Sequence, residues 1–154
     1  MKRAPVLVFG YGNPSRGDDA LGPEFVRRLE LERAGDIASG ALEVLTDFQL
    51  QVEHALDLEG RTRVYLVDAT VEAGAPGFEV RPVTAARDPS ASSHRLSPGA
   101  LLHTFEVVLG RPPLEAFVIA IRGERFELGE GLSPAGERNL VAALAAFPGQ
   151  SRTG

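Results

Sequence analysis

The chain alternates between two hydrophobic rhythms. PVLVFG (5–10) and RVYLVDA (63–69) are short, nearly continuous apolar runs, the pattern of strands covered on both faces. ALEVLTD (41–47) and EAFVIAI (115–121) are two further strand segments. Between the first two strands Phe25, Val26 and Leu29 recur at helical spacing and predict a helix over about 20–34, while Val52, Ala55 and Leu56 mark a short one. FEVRPV (78–83) alternates with polar residues and carries Pro82, which has no N–H for a ladder, so this strand belongs at a sheet edge. A polar loop fills 84–95, and a glycine-bearing one fills 122–132. Ser97-Pro98 and Ser133-Pro134 each read as a serine N-cap with proline at the first helical position. The helix after Ser97 is expected to turn Leu101, Phe105, Val108 and Leu109 to the core, and the helix after Ser133 to run to about Phe147.

Strands alternating with helices predict an α/β fold, a three-layer α/β/α sandwich around a mostly parallel sheet. With 154 residues the chain is expected to form a single domain over 1–148, followed by a flexible tail at 149–154. Folds of this kind bind ligands at the carboxyl ends of the strands. Chemistry is therefore to be sought after residue 10, after 68, between 84 and 96, and after 121.

Composition narrows the function. A net charge of −5 provides no basic footprint for nucleic acid. The chain has no cysteine, which excludes disulfides, thiolate nucleophiles, zinc ribbons and iron–sulfur ligation. The apolar run near the N-terminus, Val6–Phe9, is too short for a signal peptide, and no apolar run is long enough for a membrane span. A soluble, cytoplasmic protein with no membrane partner is the expectation.

The stretch GYGNPSRGDDALG (10–22) invites comparison with a dinucleotide loop. Gly10 and Gly12 fit that fingerprint, but its third glycine position is Ser15, and Asp18 and Asp19 stand where a pyrophosphate would need a helix N-terminus. Like charges about 4 Å apart cost on the order of 1 kcal/mol in water and several times that when half-buried. In the structural alternative one aspartate caps the helix and the other decorates its first turn. Asp68, directly after an apolar strand, gives a second possibility. If the first and third strands are neighbours, Asp19 and Asp68 converge, and two converging carboxylates need a proton or a cation between them. A histidine would complete an oxygen, oxygen, nitrogen set suited to nickel, zinc or manganese. His54 reads as a surface or cap residue and His103 as packed or half-exposed, whereas His94 lies in the polar loop SSHRLSP (92–98). No Gly-x-Ser-x-Gly elbow is present; GLSPA (131–135) comes nearest, and its Pro134 marks a helix cap.

Together these segments resemble the hydrogenase maturation proteases. The resemblance runs from VLVFGYGNPSRGDDALG, with Gly10, Gly12, Asn13, Asp18 and Gly22, through LVDA (66–69) and SSHRLSP to GLSP (131–134), nearly the whole chain. It implies a phosphorylase/hydrolase-like fold with a mixed five-stranded sheet whose fourth strand is antiparallel. It implies an endopeptidase that removes the C-terminal extension of a nickel–iron hydrogenase large-subunit precursor after nickel insertion. Asp19, Asp68 and His94 fall at the positions that contact metal. The nickel comes with the substrate, no organic cofactor is expected, and a monomer is the default. Asp18 is a candidate base for a metal-bound water. DFQLQVEHALDL (47–58) departs from the glycine-rich turn many members carry after the second strand. The competing reading is a non-proteolytic divalent-metal-binding protein for delivery or scaffolding, which draws on the lack of an evident nucleophile. A self-contained metallopeptidase with broad substrates is a third.

Overall fold

The computed structural model describes residues 3–74, 76–87 and 96–148. Its strands are β1 (Val6–Tyr11), β2 (Leu42–Asp47), β3 (Arg63–Thr70), β4 (Phe78–Pro82) and β5 (Glu115–Arg122). They form one sheet in the order β2-β1-β3-β5-β4. All neighbours are parallel except β4, which pairs antiparallel with β5 at the edge, where Pro82 was expected.

The helices are α1 (Leu21–Glu32), α2 (Ala34–Ala38), α3 (Pro98–Leu109) and α4 (Pro134–Ala146), with 3₁₀ turns at Gly17–Ala20 and Val52–Leu58. Alternate residues of the strands feed two cores, as the pleat requires. Val8, Val67 and Ile121 pack on Phe25 and Leu29 of α1 and Leu140 of α4. Leu7, Phe9 and Leu66 pack on Leu58 and on Leu101 and Phe105 of α3. Every residue of β1 is buried because both of its faces are covered. The sandwich is therefore three-layered, as the two rhythms predicted.

Both serine caps form. The Ser97 hydroxyl accepts from the Ala100 N–H at 3.1 Å, and that of Ser133 from the Gly136 N–H at 2.9 Å. Two expectations need correction. The buried stripe of α3 is Leu101, Leu102 and Phe105 with Leu109 partly covered, so the helix is rotated toward Leu102 and leaves Val108 59% exposed. The segment after α1 forms the short α2, which buries no residue fully and gives no apolar stripe to read. Among the described residues no helix is long and apolar enough to cross a membrane.

The glycines of the opening signature serve close backbone contact. A Cβ on Gly10 would lie 2.2 Å from the carbonyl oxygen of Gly22, and one on Gly22 would lie 2.5 Å from that of Tyr11 and 2.6 Å from that of Val67. The start of α1 thus rests directly on β1 and β3, which fixes the turn carrying Asp18 and Asp19.

Candidate active site

The two aspartates of the 3₁₀ turn have opposite surroundings. Successive residues of such a turn point about 120° apart, so one side chain enters the protein while the next stays at the rim. Asp18 is fully buried. Its carboxylate accepts from the Ser133 hydroxyl (2.6 Å), the Glu124 N–H (2.7 Å), the Ser133 N–H (2.8 Å) and the Arg125 N–H (3.1 Å). Its own N–H donates to the Arg125 carbonyl at 2.6 Å. The pocket has no slack, because a Cβ on Gly123 or Gly136 would approach Asp18 to 2.5 or 2.4 Å. Burial alone would push the Asp18 carboxyl up, but the donors from Glu124, Ser133 and Arg125 outweigh it and hold the group below its ordinary value. A carboxylate enclosed in this way is no general base. Asp18 instead ties the loop after β5 and the start of α4 to the start of α1.

Asp19 is half-buried at the carboxyl end of the sheet. Its Oδ2 accepts from the Asn13 N–H at 2.8 Å, and the Asn13 Oδ1 accepts from the Ser15 N–H at 2.8 Å, closing the loop beneath it. Gly12 makes the approach possible. Its φ is +144°, and a Cβ there would lie 2.0 Å from the Asp19 carbonyl oxygen. The glycines therefore bring carboxylates to the rim, and the dinucleotide reading has no support in this geometry.

Asp68 lies on β3, half-buried, one register step beyond the Gly10–Val67 pair that joins β1 to β3. That step puts it beside Tyr11, on the face shared by Phe9 and Leu66. Tyr11 is 8% exposed and hydrogen-bonded to Asp68. Burial pushes the Tyr11 phenol well up, and the charge and hydrogen bond of Asp68 push it further, so the hydroxyl remains a donor. Asp19 and Asp68 thus flank the same strand end, one against Gly12 and Asn13, the other against Tyr11. The turn carrying Asp19 also packs against β3.

On the other side of Tyr11, β2 contributes Asp47 in register. Its Oδ2 is paired with His54 Nε2 at 3.0 Å, and its Oδ1 accepts from the Phe48 N–H at 2.7 Å. His54 Nδ1 accepts from the Gln51 N–H at 2.8 Å, so in the neutral ring Nε2 carries the proton and donates to Asp47. His54 caps the 3₁₀ turn as expected but is buried, edge-on to Phe9, and both of its nitrogens are engaged. His103 is half-buried on α3. His94 lies outside the described residues. Leu96, the first described residue after it, donates its N–H to the Leu50 carbonyl near the end of β2. Among the described residues no group of three His, Asp or Glu is placed to hold a metal ion.

Sequence reasoning missed Tyr11, Asp47 and Ser133. Only strand register could have flagged Tyr11, since it and Asp68 each stand just past an apolar run. A cavity of about 240 Å³ between β3, β5 and α4, lined by Tyr65, Phe117, Ile119 and Phe147, is apolar and shares no residue with this rim.

Scans of the sequence against protein-family models and curated proteins give no match. Solved structures do match over nearly the whole chain. The hydrogenase-maturating endopeptidase HybD from E. coli superposes with a TM-score of 0.67 at 21% identity, covering 94% of this chain and 88% of that one. The NiFe hydrogenase maturation protease HycI from Thermococcus kodakarensis gives 0.68 at 21% identity, over 92% and 88%. A hydrogenase 2 maturation peptidase from a Thaumarchaeota archaeon gives 0.62 at 25% identity, over 94% of each chain. The chain has the fold of the hydrogenase maturation proteases.

Proposed function

We propose that this protein is a hydrogenase maturation endopeptidase, a peptide-bond hydrolase that removes the C-terminal extension of a NiFe hydrogenase large-subunit precursor. The observation that carries this reading is the placement of Asp19 and Asp68 on either side of the end of β1, in a fold shared with enzymes of that activity. Two anionic side chains facing one opening repel each other until a cation lies between them. A precursor that already holds nickel brings that cation; an empty one does not. His94, in the loop before α3, is the third donor in this reading, and the three leave coordination positions for ligands from the substrate. The chain's own part is to hold two carboxylates in fixed directions, one on the Asn13 N–H and one on the Tyr11 hydroxyl. With Asp18 enclosed, proton transfer during hydrolysis falls to the rim groups.

The test is to incubate the purified protein with nickel-loaded and nickel-free precursor and to weigh the products. Cleavage of the loaded form alone is expected, and Asp19→Asn and Asp68→Asn should each lower it by at least about a hundredfold, the scale of a lost catalytic or positioning group. Equal cleavage of both precursors would remove the metal-recognition step, and no cleavage of either would remove the function. The enclosure of Asp18 favours a second reading, a metal-binding protein without protease activity. That reading predicts tight binding of free nickel in a calorimetric titration and an intact precursor.

A further inference from the structure

Tyr11 stands in a row across three strands, Asp47–Tyr11–Asp68, on the face that packs against α3. A buried phenol needs a partner for its hydroxyl, and two carboxylates flank it. Asp47 is served by its own donors, His54 and the Phe48 N–H. Asp68 is the group to which the Tyr11 hydroxyl is bonded. Phenylalanine would supply the same edge contact with Phe9, so packing alone gives no reason for the oxygen. An aspartate near a strand end otherwise has three staggered χ1 wells available.

We propose that Tyr11 is a positioning residue whose hydroxyl locks the Asp68 carboxylate in one orientation toward the incoming substrate. The proposal rests on the functional reading above and deepens it. It predicts that loss of one oxygen atom from Tyr11 loosens Asp68 without disturbing the core.

The experiment uses the full chain, isotopically labelled, as wild type, Tyr11→Phe and Tyr11→Leu. Three-bond couplings report the Asp68 χ1, and kcat/KM is measured on nickel-loaded precursor. In the wild type Asp68 is expected to hold one rotamer. In Tyr11→Phe the couplings average, kcat/KM falls about tenfold, the size of one hydrogen bond's free energy, and the melting temperature changes by only a few degrees. Binding of the precursor by Asp68→Asn should be unchanged when Tyr11→Phe is added, because a residue acting through Asp68 has nothing left to orient. A fixed Asp68 rotamer in Tyr11→Phe overturns the proposal, and so does an averaged rotamer with an unchanged rate. If only Tyr11→Leu is impaired, the ring alone matters and the proposal also fails. A wild type that leaves loaded precursor uncut refutes the functional reading instead, and the couplings then still decide whether Tyr11 orients Asp68.

Discussion

Replacing Asp18 with asparagine separates structural from catalytic duty in the most acidic part of the sequence. The change keeps the shape and removes the charge. Four donors converge on this carboxylate, three from backbone and one from Ser133. Asparagine presents one acceptor oxygen and turns an NH₂ toward the remaining donors. With about 1–3 kcal/mol for each buried donor left unsatisfied, and partial relief by relaxation and water, a net loss of about 3–5 kcal/mol is expected. That is a third or more of the stability of an ordinary domain, and about 6–20 °C in melting temperature for a chain of this size. Urea and thermal melts at pH 7 measure it. The pH dependence gives an independent check. The folded-state pKa of Asp18 lies below the ordinary value of 3.8, so its contribution is fully present above 3.8 and fades as pH falls through the lower folded value. The wild type should therefore lose stability in that acid window more steeply than Asp18→Asn. A variant within about 1 kcal/mol of wild type at pH 7, with the same acid slope, would refute the enclosure argument. A variant of unchanged stability that cannot process precursor would return Asp18 to the chemistry.

Gly22→Ala should cost at least about 3 kcal/mol, or abolish soluble expression, because the new Cβ meets two backbone carbonyls that cannot move aside; chemical denaturation checks it. His54→Phe keeps the ring against Phe9 but strands the Gln51 N–H and removes a donor from Asp47, so a loss of about 1–3 kcal/mol is expected in the same assay. Glu137→Gln breaks the two-pronged contact with Arg28 that joins α1 to α4, with bonds of 2.7 and 2.8 Å. Since Glu137 is substantially exposed, the loss should stay below about 1 kcal/mol and vanish in high salt, as melts at two ionic strengths would show.

Much of the fold was legible from local pattern. Each strand boundary lies within a residue of its apolar run, and both Ser-Pro pairs cap helices, because pleat, helical period and proline geometry act over a few residues. α2 was not legible because one partly buried Ile37 makes no stripe. The candidate site was legible only in part. Asp68 could be singled out as a charge following an apolar strand, and Asp18 and Asp19 as a pair, but nothing local distinguishes two adjacent aspartates.

The sequence by itself determined the layers, the edge strand, the helix starts and a short set of acidic candidates. Tertiary structure decided which aspartate faces inward, since the donors that enclose Asp18 come from Glu124, Arg125 and Ser133, more than a hundred residues along the chain. It also decided, through the register of β1 on β3 and β2, that Asp68 meets a tyrosine and that Asp47 meets a histidine. Periodicity follows from local stereochemistry and is written in neighbouring residues. The partner of a buried charge follows from which distant segments the packed cores bring together.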